Sequence, residues 1–274
     1  MLLTASWVHC CEMKMKSVLI GHTGFVGANL LRQRSFDLCV HRANLADLNG
    51  VNADLLVIAG LPAEKWRANQ NPIADLENMR VLQKALEGVK AQRVVVVSTV
   101  DVYPSPFGVD ELSSADDPLA QPYGAHRHEF ERWVQGKFPR ASVIRLPGLF
   151  GPGLKKNVLH DLVRNHLTNC IHPESSFQWY PIMRLSKDID TLMAAGLSCV
   201  NAATEPICTK DIVDRFFPSL VLQTQANPPV RYDMQSAHAS LFGGGGRYWM
   251  GRLAVMDALS AWFRSPDLGA KAAE

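Results

Sequence analysis

The sequence lacks the features that mark several broad classes of protein. None of its six cysteines forms a C-x-x-C pair, and their irregular spacing fits neither a zinc site nor a disulfide framework. No apolar run approaches the roughly 20 residues that cross a bilayer, and 28 basic residues nearly balance 26 acidic ones. We therefore predict reduced thiols, a cytoplasmic location, no metal ion, no nucleic-acid partner and no membrane contact.

The length and composition suit a folded α/β protein. The chain has 274 residues, of which 47% are hydrophobic, enough for one large domain with or without a smaller lobe. Its opening residues, 1–16, carry neither a basic stretch before their apolar patch nor a small-residue exit, so they do not predict a secretory signal. We expect 1–16 to form a flexible N-terminal extension.

Strand and helix patterns alternate along the first half of the chain. A strand at 17–20 precedes a helix, and buried strands are predicted near 37–42, 53–60 and 93–98. This alternation predicts an α/β fold with a doubly wound, Rossmann-type parallel sheet. A complete crossover unit takes about 30 residues, more than the segment 43–53 offers, so we expect one outer strand to be missing. A helix is predicted over 71–89, with an inward face of Ile73, Leu76, Met79, Val81, Leu82 and Leu86.

Beyond about residue 150 the predicted elements become short and mixed. Helices near 158–166, 187–197 and 254–263 accompany a strand-like stretch at 177–183. We therefore divide the chain into a dinucleotide-binding domain over 17–153 and a smaller α/β substrate-binding lobe over 154–274.

The stretch "GHTGFVG" places Gly21, Gly24 and Gly27 between the first strand and the first helix. In that context the first glycine makes a tight turn, the second admits a pyrophosphate, and the third lets the helix pack against the sheet. The anion then lies at the helix N-terminus, where free N–H groups and the helix dipole favour it. The alternative is a glycine turn selected for packing alone.

The end of the second strand bears on the choice between NAD and NADP. An acidic residue there binds the ribose 2′-hydroxyl of NAD, whereas a nearby arginine accommodates the 2′-phosphate of NADP. The sequence reads "VHRAN" and has no acid at this point. Arg42 therefore favours NADP slightly over NAD, although an exposed arginine without a ligand is an open alternative.

Four motifs together resemble one large family. "GHTGFVG", "STVDVY", "PYGAHRHEFE" and "IRLPGLFGPG" occur in the order and at the approximate spacing of the extended short-chain dehydrogenase/reductase superfamily, and specifically of its NAD-dependent epimerase/dehydratase group, which acts on nucleotide sugars. The resemblance covers 17–153. It implies Thr99 and Tyr123 as catalytic residues, with Arg127 in the position of the family lysine. The cofactor-binding residues expected on this basis are Gly21, Thr23, Gly24, Phe25, Val26, Gly27, Arg42, Ala59, Gly60, Tyr123, Arg127 and Pro147.

Arg127 is a departure from the family pattern. The resemblance implies that Tyr123 exchanges a proton with the substrate hydroxyl, and a phenol that titrates near pH 10 needs a neighbouring cation to act as a base at neutral pH. Arginine keeps the charge, but its planar guanidinium does not give up a proton. The alternative is an ordinary surface helix face, on which Arg127 pairs with Glu131 at i+4.

The sequence also limits the reaction and the substrate contacts. Family dehydratases place an Asp-Glu pair after the threonine, whereas this chain has Val100 and Asp101. We therefore expect epimerisation or simple keto/hydroxyl redox chemistry rather than dehydration. Substrate contacts are expected from Asp101, Lys155, Asn157 and Arg184, with a solvated loop as the alternative for the last three.

The prediction for function is an NAD(P)-dependent oxidoreductase or epimerase that acts on a nucleotide sugar or a similar hydroxyl or keto substrate. The alternative is a catalytically lapsed NADP-binding sensor or interaction module. The resemblance also implies a possible homodimer, because superfamily members often pair through the helices that follow "STVDVY" and "PYG".

Overall fold

The alternation of strands and helices in the sequence produces a parallel sheet with helices on both faces. The computed structural model describes residues 16–117, 119–223 and 228–269, so the predicted N-terminal extension lies almost entirely outside the described residues. Within those ranges no helix is both long enough and apolar enough to cross a bilayer. The strands are β1 Ser17–Ile20, β2 Leu38–Val40, β3 Asn52–Ile58, β4 Lys90–Thr99, β5 Phe107–Val109, β6 Ala141–Leu146, β7 Gly148–Phe150, β8 Ser176–Phe177, β9 Trp179–Pro181, β10 Cys199–Asn201, β11 Ile207–Cys208 and β12 Asp233–Met234.

The helices flank these strands and include several short 3₁₀ segments. The α-helices are α1 Phe25–Leu31, α2 Lys65–Gln70, α3 Pro72–Leu86, α4 Pro122–Lys137, α5 Val158–Arg164, α6 Leu185–Ala194, α7 Thr209–Phe216, α8 Arg252–Phe263 and α9 Pro266–Gly269. The 3₁₀ helices are Arg42–Leu48, Val100–Val102, Thr168–Cys170, Ile182–Arg184 and Ala239–Phe242.

The central sheet has six strands in the order β2-β1-β3-β4-β6-β10, and all of its pairings are parallel. As predicted, the sheet is doubly wound, and in the described part of the chain β2 is its outermost strand on that side. The 3₁₀ helix Arg42–Leu48 takes the place of a crossover helix, and its Leu48 is fully buried in the core. The compressed connection therefore closes this edge of the sheet without a further strand.

Successive side chains along each strand pack on opposite faces of the sheet. In β1, Val18 and Ile20 pack with the core on the α3 and α4 side, whereas Leu19 packs with α1 and α6 on the other side. Strand β4 repeats this period of two with Val94 and Val96 against Val95. Each buried aliphatic side chain contributes about 1.5–3 kcal/mol. A slip of one residue would invert both faces, so the register is fixed.

Helix α3 buries a narrower stripe than the one we predicted. Met79, Leu82 and Leu86 are buried in the core, as expected. Ile73 is 76% exposed and Val81 is 46% exposed, so the prediction that they face inward is wrong. A helix that packs on one sheet turns only one stripe of side chains toward it, and these two residues lie outside that stripe.

The boundary predicted at residue 153 does not separate the sheet from the lobe. Strand β10, which we assigned to the lobe, pairs with β6, and helix α6 packs on the same sheet. The chain turns away after β6 to build the lobe and then returns to complete the sheet. The lobe has its own core, to which α5, α7 and α8 contribute Leu159, Ile212 and Leu259.

Candidate active site at the carboxyl edge of the sheet

The glycine turn after β1 is required by close packing at two positions. Gly21 has a φ of +89°, and a Cβ there would lie 2.4 Å from the Cα of Gly60. A Cβ on Gly27 would lie 2.2 Å from the carbonyl oxygen of Gly21. Neither contact can be relieved by a side-chain movement, because both partners are backbone atoms. Helix α1 therefore starts directly against the turn, as the sequence predicts.

The middle glycine leaves space where a dinucleotide would lie. A Cβ on Gly24 would meet nothing closer than the carbonyl oxygen of Gly21 at 3.4 Å, and both Thr23 and Gly24 are exposed. Helix α1 has no acidic residue in its first turn, so no carboxylate of that turn competes for its N-terminal N–H groups. Phe25 and Val26 form the partly exposed start of the helix. This opening fits the pyrophosphate of a nicotinamide dinucleotide.

The neighbouring strand ends supply the remaining predicted cofactor residues. The backbone N–H of Ala59 donates to the carbonyl oxygen of Ile20, which brings the Ala59–Gly60 segment against the glycine turn. Pro147 is buried directly after β6. Arg42 is exposed after β2 and donates a hydrogen bond to Asn78 on α3. It lies at the strand end where a 2′-phosphate would be read.

Thr99 and Tyr123 come together where β4 ends. Thr99 lies close enough to the Tyr123 phenol to lower its pKa, and Thr99 Oγ1 accepts the backbone N–H of Asp101 at 3.2 Å. A Cβ on Gly124 would lie 1.9 Å from the carbonyl oxygen of Asp101, so a glycine after the tyrosine lets α4 approach this turn. The glycine of "PYG" thus allows Tyr123 to lie beside Thr99.

Burial dominates the electrostatics of Tyr123, whose side chain is mostly enclosed. Burial raises the pKa of the phenol above its ordinary value, and the charge of Asp101 raises it further. The charges of Arg127 and Lys65 and the hydrogen bond from Thr99 oppose this effect by lowering the pKa. The phenol is therefore protonated at neutral pH.

Arg127 contacts Tyr123 but is held by another partner. Its guanidinium carbon lies 3.8 Å from the centre of the Tyr123 ring, so it stacks on the ring face. Nη1 and Nη2 donate to Asp75 at 2.6 and 2.9 Å, and Nη2 also donates to the carbonyl oxygen of Pro62 at 2.6 Å. Arg127 is only 1% exposed. The surface-helix alternative is therefore wrong, since Glu131 pairs instead with Arg145, at 2.6 Å.

Asp75 is the shared acceptor of this buried group. Burial raises the pKa of its carboxyl, but hydrogen bonds and charge from Arg127 and His126 outweigh burial and lower the pKa. His126 Nδ1 lies 2.8 Å from Asp75 Oδ2. Asp75 thus approaches α4 from α3 and contacts both residues.

Two further residues at this site carry no sequence motif. Lys65, the first residue of α2, donates to Asp101 Oδ1 at 2.7 Å. The phenol of Tyr232 donates to the same oxygen at 2.9 Å. Lys65 follows the carboxyl end of β3, and sites in parallel sheets form at this edge. Its position after the strand is the one feature of the sequence that indicated a role for Lys65 in the site. Tyr232 arrives from a distant segment with no such signal.

The predicted substrate residues of the lobe divide into exposed and engaged side chains. Lys155 is exposed, and Asp101 lies in the Thr99–Tyr123 cluster. Asn157 instead caps helix α5, where its Oδ1 accepts the N–H of His160 and its Nδ2 donates to Leu149.

Arg184 is also engaged within the fold. Its Nε donates to Asp188 Oδ2 at 2.6 Å and its Nη2 to the carbonyl oxygen of Phe242 at 2.9 Å. The polar atoms of Asn157 thus serve a helix cap, and Nε and Nη2 of Arg184 serve an ion pair and a backbone contact. Contact of either residue with a substrate diphosphate stays a prediction.

The parallel sheet, its glycine turn and the strand order define a Rossmann-type fold. The sequence matches no protein-family model and no curated protein. The structure is similar to dTDP-4-dehydrorhamnose reductase from Bacillus anthracis str. Ames in complex with NADP, with a TM-score of 0.70 and 15% identity over 91% of this chain and 99% of that one. It is also similar to a UDP-galactose 4-epimerase, with a TM-score of 0.70 and 16% identity over 94% and 99% of the two chains.

A third similar structure is an NAD-dependent NDP-hexosamine 5,6-dehydratase, TunA, involved in tunicamycin biosynthesis. The TM-score is 0.68, with 19% identity over 92% of this chain and 98% of that one. At these identities the likeness establishes the fold. The chain thus has the fold of nucleotide-sugar dehydratases, reductases and epimerases, over nearly their full length.

Proposed function

We propose that the protein is an NAD(P)-dependent oxidoreductase or epimerase that acts on a hydroxyl or keto group of a nucleotide sugar. The observation that carries the proposal is the close packing of the start of α4 on the turn after β4, which places Tyr123 beside Thr99 at the carboxyl edge of the sheet. The open glycine turn after β1 and the likeness of the fold to nucleotide-sugar enzymes support it.

The residues divide the chemistry between them. When bound, a nicotinamide ring supplies or accepts the hydride. Tyr123 holds the proton that moves to or from the substrate oxygen, and Thr99 orients both oxygens by hydrogen bonding. Gly21, Gly24 and Gly27 would hold the pyrophosphate at the start of α1.

The protonated state of Tyr123 favours one direction of reaction. Because burial raises the pKa of the phenol, the group carries its proton at neutral pH and serves as an acid. In the reduction of a keto group, the O–H bond of Tyr123 breaks as the new hydroxyl O–H bond forms on the substrate. We therefore propose that the free protein, with Tyr123 protonated, is in the state that the reduction of a keto group requires.

The experiment that tests this function compares the wild type with Tyr123→Phe. Isothermal titration measures NADP and NAD binding, and a panel of nucleotide sugars and 4-keto sugars is screened for a change in reduced-nicotinamide absorbance. The variant should retain cofactor affinity and lose at least about a hundredfold in turnover, since a positioned acid contributes about that much or more. Unchanged turnover in the variant would rule out the role of Tyr123.

The second candidate function is an NADP-binding module without catalysis. One observation favours it, the bidentate pairing of Arg127 with Asp75. Arg127 stands in the position of the family lysine, and this pairing holds its charge away from the open part of the site. Under this alternative the wild type binds the dinucleotide with normal stoichiometry. It then shows no absorbance change with any substrate of the panel, and Tyr123→Phe changes nothing.

We also propose a homodimer that forms through α3 in a reducing, cytoplasmic compartment. The exposed Ile73 and Val81 on this helix support the dimer, because large apolar side chains in solvent mark contact surfaces. Sedimentation of the wild type and of Ile73→Lys tests the dimer, and an unchanged mass in the variant contradicts it.

The proposed reducing compartment is in keeping with the free thiols of Cys39, Cys170, Cys199 and Cys208.

A further inference from the structure

Lys65 joins the candidate active site through Asp101. Its Nζ donates to Asp101 Oδ1 at 2.7 Å and to the phenol oxygen of Tyr232 at 3.3 Å. The Thr99 hydroxyl donates to Asp101 Oδ2 at 3.4 Å, and Thr99 lies close enough to the Tyr123 phenol to lower its pKa. A continuous set of polar contacts therefore runs from the Lys65 ammonium to the Tyr123 phenol.

Helix α2, on which Lys65 lies, is tied to the start of the tyrosine helix. Asn69 of α2 accepts the backbone N–H of Tyr123 at 3.0 Å and donates to Gln121 at 2.7 Å. Lys65 and Tyr123 thus lie on two segments that the hydrogen bonds of Asn69 join directly. The Lys65 side chain is 45% exposed, so its ammonium lies between the site and solvent.

Arg127 does not fill this position. Its guanidinium lies over the ring face, and both terminal nitrogens are occupied by Asp75 and by the carbonyl oxygens of Tyr123 and Pro62. Its remaining donor, Nε, is buried without a partner. None of its terminal N–H groups is therefore left for the hydroxyl edge of the tyrosine.

We propose that Lys65 is a positioning residue of the Tyr123 site, where its ammonium compensates the Asp101 carboxylate that holds the Thr99 hydroxyl beside the phenol. Lys65 thereby takes over the part of the family lysine's role that Arg127 leaves open. The inference rests on the proposed function, since only a proton-transferring tyrosine needs this support.

The charged groups around Tyr123 predict opposite effects for the two members of the ion pair. Arg127 and Asp75 lie on the ring side, while Lys65, Asp101 and Tyr232 lie on the side of Thr99. Burial and Asp101 raise the pKa of Tyr123, and Lys65 lowers it. Removal of the lysine should therefore raise this pKa, and removal of the aspartate should lower it.

The test measures the titration of Tyr123 directly, without turnover. The chain has five tyrosines, so ¹³Cζ-tyrosine labelling gives five NMR signals, and Tyr123→Phe assigns the one of interest. In Lys65→Met the Tyr123 midpoint should rise by about one pH unit, and in Asp101→Asn it should fall by about one, as expected for charges several ångströms apart. Lys65→Arg should restore the wild-type midpoint.

Lys210→Met is the matched control, because Lys210 makes a lysine–aspartate pair of similar length, 2.6 Å, with Asp214 on α7. It should leave the Tyr123 midpoint within about 0.2 units of the wild type, given the screening of exposed charges. If Lys65 had a role in folding alone, the Tyr123 midpoint would stay unchanged in both Lys65→Met and Asp101→Asn, or it would move in the same direction in both. Either result overturns the proposal. Loss of turnover in Tyr123→Phe without any NMR shift in Lys65→Met would leave the proposed function standing and refute Lys65.

Discussion

The carboxylate of Asp75 on α3 accepts both terminal nitrogens of Arg127 on α4, at 2.6 and 2.9 Å. Arg127 is 1% exposed and Asp75 is 5% exposed, so the pair is removed from solvent. Two adjacent helices are thereby joined at the level of the candidate tyrosine. A buried pair of this kind leaves a full charge uncompensated when either partner is lost.

The first prediction concerns the stability that this pair confers. Arg127→Met should lower the free energy of unfolding by about 3–5 kcal/mol, because the Asp75 carboxylate remains buried without its partner. Urea denaturation followed by circular dichroism measures the change. Arg132→Met is the control on the same helix, since the Arg132–Asp116 pair is mostly exposed, and it should cost less than about 1 kcal/mol. Equal losses in the two variants would show that Arg127 is not a structural residue.

The second prediction concerns pH. The pKa of Asp75 is lowered on folding, despite burial, by its bonds to Arg127 and His126. The stability it contributes is therefore present above its unfolded pKa of about 3.9 and is lost as the pH falls through the folded value. The free energy of unfolding should decline between about pH 5 and pH 2, and the decline should be shallower in Asp75→Asn.

Urea titrations at several pH values measure these slopes, which can be compared even though the variant is less stable overall. Glu131 also has a lowered pKa, because hydrogen bonds from His128 and Arg145 outweigh its burial. The wild-type slope thus contains both carboxyls. An identical slope in Asp75→Asn would mean that its pKa is not lowered on folding.

The sequence predicted those parts of the site that depend on consecutive residues. Strand β1 and its glycine turn form a local unit, and Thr99 follows a β-branched strand. Because the carboxyl ends of parallel strands meet at one edge, the Thr99 and Tyr123 motifs were expected to lie together, and they do. Local patterns were sufficient here.

Residues brought in from other segments could not be predicted in this way. Lys65 and Tyr232 are 167 positions apart and meet at Asp101 through tertiary structure alone. Asp75 offered one signal that we did not use. It lies on the stripe that α3 buries with Met79 and Leu82 at i+4 and i+7, and a carboxylate on an apolar stripe indicates a buried cationic partner.

The same limitation applies to two predicted substrate residues of the lobe. Asn157 and Arg184 have side chains that suit a diphosphate, and only the structure reveals that they bond to His160 and Asp188. The choice between a ligand contact and a helix cap depends on which element follows the residue. For Asn157 the following helix α5 was predicted, so an N-cap was the better interpretation.

The third prediction separates the glycine that packs from the glycine that binds. In Gly27→Ala the new Cβ would lie 2.2 Å from a backbone oxygen, and the overpacking should cost about 1–3 kcal/mol of stability. In Gly24→Ala the nearest atom lies at 3.4 Å, so the fold should be retained. NADP affinity, measured by isothermal titration, should nevertheless fall by at least about tenfold, as the backbone can no longer approach the pyrophosphate.

Gly88→Ala is the control for these substitutions, because no atom lies within 4 Å of the added Cβ. It should change neither stability nor affinity. Retained NADP affinity in Gly24→Ala would place the pyrophosphate elsewhere.

The last prediction tests the choice of cofactor. Arg42 is exposed after β2, and among the described residues its side chain donates to Asn78 of α3. A charge-assisted hydrogen bond to a 2′-phosphate contributes about 1.5–3 kcal/mol. Arg42→Ala should therefore weaken NADP binding by about tenfold or more, and it should leave NAD binding within about twofold, since NAD has no phosphate at that position. Calorimetric titration of both cofactors measures this ratio. Because Asn78→Ala removes the internal bond while leaving the guanidinium in place, it should preserve the preference for NADP. An equal loss of affinity for both cofactors in Arg42→Ala would show that Arg42 supports the fold of this edge and does not read the 2′-phosphate.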